Sequence, residues 1–173
     1  LKSVNIPDSV TKIGNNAFLG CSSLESIDIP NSVTEIGEKS FSGFGSLKSV
    51  NIPDSVTKIG NNAFYGCSSL KSVNIPDSVT EIGKWVFGGC SSLENIDIPN
   101  SVTEIGDYAF YECKSLESIT IRYKDIDNIK IGNSPFDNVY YKCVLHIPSG
   151  TRWAYRHHPI FGKFKNIVTE RFE

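Results

Sequence analysis

Five cysteines and three histidines are the side chains of this 173-residue sequence best suited to nucleophilic, redox or metal chemistry. Cys21, Cys67, Cys90 and Cys113 fall at multiples of 23 residues, and Phe44 stands at the one missing place in that series. A slot that accepts either cysteine or phenylalanine is a packing slot, and a free cysteine packs as a small hydrophobe. Stacked columns stand about 4.8 Å apart, wider than the roughly 3.8 Å between Cβ atoms that a disulfide needs. With the odd count, this argues for buried free thiols, Cys143 among them. His146, His157 and His158 sit near the C-terminus with no serine or cysteine nucleophile paired to them by pattern. Neither CxxC nor HExxH spacing occurs, so no metal, cofactor or catalytic site is expected.

The remaining chemistry is that of surfaces. Ser26, Asp28, Ser49, Asn51, Ser72, Asn74, Asn95 and Asp97 alternate with valine and isoleucine, which makes them the outward residues of successive strands. They read as a solvated polar face or as a shallow docking surface for a protein or glycan. Lys2, Glu25 and Lys48 alternate in sign beside them, in exposed pairs that contribute at most about 1 kcal/mol each. Two other columns change character along the chain. Asn16, Lys39 and Asn62 give way to Trp85 and Tyr108, and the column of Leu19, Ser42 and Gly88 also holds Tyr65 and Tyr111. Trp85 and Tyr108 then lie side by side, with Tyr111 three residues on. Together with Tyr65, these rings either lie over the core phenylalanines and add stability, or form a contact patch of the residue types favoured at interface centres. In columns that vary so freely, a change such as Asn62→Ala is expected to cost little.

What positions all of these residues is repetition. "LKSVNIPDSV" begins at Leu1, Leu47 and Leu70, and close relatives begin at Leu24 and Leu93, every start lying on a 23-residue grid. A fixed period of this length predicts a solenoid in which each copy is one coil stacked on the next. A lone coil offers about eight apolar positions at roughly 1.5–3 kcal/mol for each large side chain fully buried. Ordering its backbone costs roughly 1–2 kcal/mol per residue, so stacking is needed. Within a coil, the LxxVxI run predicts a strand, ended by Pro7, Pro30, Pro53, Pro76 and Pro99. Val10 and Ile13 point inward next. Gly14, Gly37, Gly60, Gly83 and Gly106 mark a turn expected to need positive φ. A short helical turn is expected around the column Phe18, Phe41, Phe64, Phe87 and Phe110.

The pattern LxSVxIPxSVTxIGxxAFxxCxS resembles the 23-residue leucine-rich repeat of BspA-like bacterial surface proteins, the Treponema type. The resemblance is strong from Leu1 to Ser115 and continues, degraded, through "LESITI", "IGNSPF" and "VLHIPSG" to Gly150. It implies an α/β fold: a right-handed, horseshoe-like solenoid of about seven coils, with one parallel strand per coil and short helical turns opposite. It also implies location at the cell surface or secretion, and adhesion, with extracellular matrix glycoproteins as partners. The expected organisation is five regular coils over 1–115, degenerate coils over 116–150 and a C-terminal capping segment over 151–173. Extra residues before Gly132 predict a bulged loop from Arg122 to Asp127. Trp153, Tyr155, Phe161, Phe164, Ile167 and Val168 make residues 151–173 too apolar for a loose tail. They resemble the terminal segment that closes BspA-like arrays.

A net charge of −2 gives no global field for nucleic acid, and no apolar run approaches the roughly 20 residues of a membrane span. Leu1 opens a coil directly, methionine is absent and no signal peptide is present, so a fragment of a longer protein is expected. The capping segment carries five Lys or Arg against two Glu. The preferred functional reading is a non-enzymatic surface binding module. The alternative is a stalk that spaces another domain from the cell, a role that near-identical coils would suit.

Overall fold

The structure, a computed structural model, describes residues 2–172. Leu1, expected to open the leucine column, lies outside the described residues, as does Glu173. The first coil contributes β1 (Ser3–Asn5) and β2 (Lys12–Ile13), and the second β3 (Ser26–Asp28) and β4 (Glu35–Ile36). β5 (Ser49–Asn51) and β6 (Lys58–Ile59) follow, then β7 (Ser72–Asn74) and β8 (Glu81–Ile82), and β9 (Asn95–Ile98) and β10 (Glu104–Ile105). The less regular coils supply β11 (Ser118–Ile121), β12 (Lys130–Ile131) and β13 (Val144–Pro148). Helix α1 (Arg152–His157), a 3-10 turn over Phe161–Lys163 and β14 (Asn166–Glu170) complete the chain. The result is a solenoid of about seven coils with parallel strands.

Each coil has three sides. Odd-numbered strands from β1 to β7 form one parallel row, and β9, β11, β13 and β14 form another. Between the two rows, the Glu94 N–H donates to the Lys71 carbonyl at 3.1 Å. The register stacks like on like: Val50 beside Val73, and Ile96 beside Ile119 and then Leu145 and Ile167. The second side is the continuous sheet from β2 to β12. Inward isoleucines from both sheets meet the leucine and phenylalanine columns in one core. The phenylalanines stack from Phe18 to Phe136 with centroids 5.2–5.6 Å apart and interplanar angles of 6–16°. Three serine hydroxyls stitch the corners, each donating to the coil before: Ser32 to Val10, Ser55 to Val33 and Ser78 to Val56.

The third side differs from the expected helical turn. It is a chain of tight turns whose amides bond to the following coil, as Asn62 N–H does to the Lys84 carbonyl at 2.8 Å and Phe64 N–H to Val86 at 3.0 Å. Helix is interrupted because Asn16, Lys39, Asn62, Trp85 and Tyr108 all sit at φ of 54–60°. The expected location of positive φ is corrected accordingly. The Gly14 column does not have it, and Gly37, Gly60, Gly83 and Gly106 are instead approached closely by the coil before, whereas a Cβ on Gly14 would meet nothing within 4 Å. A Cβ on Gly60 would lie 2.6 Å from the Glu38 nitrogen, and one on Gly106 would lie 2.6 Å from the Lys84 nitrogen. Left-handed glycines are found six residues further on, at Gly20, Gly43, Gly66 and Gly89, a position that Glu112 takes in the fifth coil at φ 61°.

The insertion forms the loop expected over 122–127, with Asp125 accepting from the Asp127 amide at 3.1 Å. Tyr123 fastens it to the fifth coil by donating to the Pro99 carbonyl at 2.8 Å, and Tyr155 donates to the Tyr123 carbonyl at 3.0 Å. Val139 is buried in the slot that earlier coils give to cysteine. Cys143 is buried too, but one residue out of the leucine register, since Val144 pairs with Ser118. Beyond β13, the fully buried Tyr155, Phe161 and Phe164 pack at the end of the phenylalanine stack, with Phe164 edge-on to Phe136 at 5.6 Å. Two residues expected to join them do not: Trp153 is 74% exposed and Val168 42%. Trp153 lies on the outer face of α1, stacked on His157 at 4.3 Å, and Val168 points outward from β14.

Candidate functional site: an aromatic surface on the turn side

The turn side carries the molecule's distinctive surface. Backbone at the Asn16 column is left-handed, which disfavours every residue except glycine and, to a lesser degree, asparagine and aspartate. Asn16 and Asn62 fit that rule, whereas Lys39 at φ 54°, Trp85 at φ 58° and Tyr108 at φ 57° break it. The left-handed backbone throws both rings onto the outside of the turn. There the indole and phenol stack at 4.6 Å with 21° between planes. Tyr111 closes edge-on against both, 5.4 Å from Trp85 and 5.7 Å from Tyr108. Tyr65, from the coil before, meets Trp85 edge-on at 5.7 Å. All four rings read from the sequence as candidates are therefore in one cluster. Their ring partners are each other, so the expectation that they lie over the core phenylalanines is not met.

Gly88 makes room for the indole. It stands in the column of Tyr65 and Tyr111, and a Cβ there would lie 2.7 Å from the Trp85 ring and 3.3 Å from that of Tyr65. Tyr65 is 42% exposed, and Trp85, Tyr108 and Tyr111 are half-buried against one another. The cluster is flanked by charge. Lys84 pairs with Asp107 at 3.1 Å, and Lys114 with Glu112 at 2.7 Å. The Asn133 amide, donating at 2.7 Å, and the Lys84 ammonium beside it hold the Asp107 carboxyl below its ordinary pKa. What sequence reasoning missed here is the left-handed backbone, although asparagine recurring at that column was its signal.

The second candidate face has the geometry expected of it: Ser26, Asp28, Ser49, Asn51, Ser72, Asn74, Asn95 and Asp97 all point outward and are exposed. It is flat along the strands and lacks rings. The thiols lie elsewhere. Cys67, Cys90 and Cys113 are fully buried, with Sγ 3.2 Å from the carbonyls of Phe41, Phe64 and Phe87. Burial pushes Cys113 and Cys143 up to about 12 and raises Cys90 as well, so these are poor nucleophiles. Cys21 departs from the expected burial. It is exposed, whereas Cys67, Cys90 and Cys113 each rest on the coil before. His146 pairs with Glu170 at 2.5 Å, and His158 accepts from the Ile160 amide at 3.2 Å. Among the described residues, no three His, Cys, Asp or Glu side chains come together as a metal set.

A repeat of this period and construction has a known family. The BspA-type leucine-rich-repeat family model matches residues 1–117 and 34–154, in six copies. The chain belongs to the BspA-type leucine-rich-repeat family. No curated protein is a significant match. Among solved structures, the BspA-type chain resembles the leucine-rich-repeat protein of T. pallidum at 25% identity and TM-score 0.69, over 99% of this chain and 87% of that one. It resembles a leucine-rich cell surface protein of Faecalibacterium prausnitzii A2-165 at 28% identity and TM-score 0.59, over 100% of this chain and 49% of that one. A leucine-rich-repeat protein of Bacteroides ovatus ATCC 8483 matches at 28% identity and TM-score 0.53, over 85% of this chain and 55% of that one. The chain thus spans about half the length of the latter two proteins.

Proposed function

We propose that this BspA-type chain is a non-enzymatic protein-binding module of a cell-surface or secreted protein, anchored to its partner through Tyr65, Trp85, Tyr108 and Tyr111. The observation that carries this reading is the placement of Trp85 and Tyr108 on left-handed backbone. Each costs about 1–2 kcal/mol relative to a residue that tolerates that conformation. Asn16 and Asn62 relieve that cost, whereas Lys39, Trp85 and Tyr108 carry it, and the two rings, unlike Lys39, come together on adjacent coils. Strain kept at two neighbouring positions that together build one aromatic surface supports a site with another task. Rigid rings that lose little entropy on contact are the side chains most often dominant in protein interfaces. In this reading, residues 1–150 are the solenoid and residues 151–173 close its end, with Tyr155, Phe161 and Phe164 sealing the last coil. The family's surface location makes matrix glycoproteins the partners to test.

The near-identity of coils one and three, which differ only at Leu19 and Tyr65, favours a second reading as a stalk. A spacer needs length and no particular site. Surface-immobilised fibronectin and fibrinogen, with a wider panel of matrix glycoproteins, separate the two readings. A module binds at least one saturably. A stalk binds none.

A further inference from the structure

On a different line of the coil from the aromatic cluster, a groove of about 1200 Å³ crosses from the third coil to β14 where the first-side strands end. Its charges follow position. Asp54 and Asp77 line one end; Lys124 and Arg171 line the other, together with Glu170, whose carboxylate is engaged by His146 at 2.5 Å. Between them, Asp97 and Arg122 neutralise each other through two bonds, Nη2 to Oδ2 at 2.7 Å and Nε to Oδ1 at 3.3 Å. The Arg122 guanidinium also rests 5.1 Å from the centre of the Phe172 ring, which fixes the middle of the groove. Among the described residues, none of the other four end charges has an ion-pair partner. The groove therefore presents two unpaired carboxylates, a neutral centre and, beside the His146-held Glu170, two unpaired cations, in that order. The basic end is built by the inserted loop and the C-terminal strand, so it is absent from the regular repeat.

We infer that this groove binds an extended polypeptide segment carrying a basic residue and an acidic residue a few positions apart. The charge order selects this chemistry. A neutral glycan would cover four charged groups without pairing them, at a desolvation cost. A ligand of a single sign would meet repulsion at one end. Coils stack at about 4.8 Å, which puts the Asp77 and Lys124 coils roughly 10 Å apart. An extended chain rises about 3.3 Å per residue, so charges about three to five residues apart reach both ends. The volume exceeds the 300–1,000 Å³ usual for small-ligand pockets.

The test uses the full chain and the fluorescein-labelled peptide Lys-Lys-Gly-Ser-Glu-Glu, with all-lysine, all-glutamate and Gly-Ser peptides of equal length beside it. Fluorescence anisotropy should show the mixed-charge peptide binding at least about tenfold tighter than any other, and less tightly as salt rises. Asp77→Asn and Arg171→Gln are exposed changes that leave the fold intact. Each should weaken binding of the mixed-charge peptide several-fold, and the double variant should abolish the preference. Replacing Trp85 and Tyr108 should leave it unchanged, which separates this site from the aromatic surface. Equal binding of a single-sign peptide would overturn the proposal. So would binding of neutral oligosaccharides in the groove that is indifferent to both substitutions.

Discussion

Asn62 and Phe64 stand two residues apart and do opposite work. Phe64 is fully buried between Phe41 and Phe87, and Phe64→Ala should lower unfolding free energy by about 3–5 kcal/mol. Variation in the Asn62 column invited the view that any residue serves there. The φ of 60° says otherwise. Asn62→Ala should cost about 1 kcal/mol, and Asn62→Gly much less, because glycine has no Cβ to oppose that conformation. Urea titrations of the three variants check this order, and equal losses for Ala and Gly would contradict it. The thiols make a second residue-scale prediction. Folded Cys113 and Cys143 titrate near 12, whereas a thiol in the unfolded chain titrates near 9. Between those values the unfolded state releases protons that the native state retains, so stability falls with rising pH. Urea midpoints should hold steady up to about pH 8.5 and drop above about pH 9. A flat profile to pH 11 would contradict thiol burial. Below that range, Cys67, Cys90 and Cys113 should resist a thiol reagent while Cys21 reacts.

At the scale of elements, strands were legible and turns were not. Alternating valine and isoleucine between polar residues leaves one arrangement with a dry face, and the proline after each run ends it. Turns are decided by backbone geometry that several residue types tolerate. Glycine at the Gly14 column read as a positive-φ signal, but at Gly37, Gly60 and Gly106 its reason is the preceding coil 2.6 Å from where a Cβ would stand, a distance visible only once the coils are stacked. Gly60→Ala should therefore be severely destabilising even though alanine has better local propensity, because backbone would have to move on two coils. A loss under about 0.5 kcal/mol in a thermal melt would show that the coils separate freely. The C-terminal segment was legible as apolar but not in its facing. Phe161→Ala should cost as much as a core change, about 3–5 kcal/mol, whereas Trp153→Ala should stay within about 0.5 kcal/mol.

For the whole molecule, repetition made the fold readable, since 23-residue spacing dictates stacking and stacking dictates the core. The aromatic cluster was readable for the same reason: once columns are known, residues that break them in adjacent coils must touch. The groove was not, because it depends on where an insertion and a terminal strand fold back. The central claim is that Trp85, Tyr108 and Tyr111 serve a partner and not the fold. It is tested most directly by returning them to residues the repeat itself uses elsewhere: Trp85→Asn, Tyr108→Asn and Tyr111→Ser together. Relief of two left-handed rings, at about 1–2 kcal/mol each, offsets the loss of ring pairs worth about 0.5–1.5 kcal/mol each. The melting temperature should therefore move by no more than about 4 °C, since 1 kcal/mol shifts a domain of this size by about 2–4 °C. Surface plasmon resonance on the matrix glycoprotein that the unaltered chain binds should show affinity at least about tenfold weaker, roughly 1.4 kcal/mol. Unchanged affinity in a folded variant would contradict the claim, as would a melt lowered by well over 4 °C.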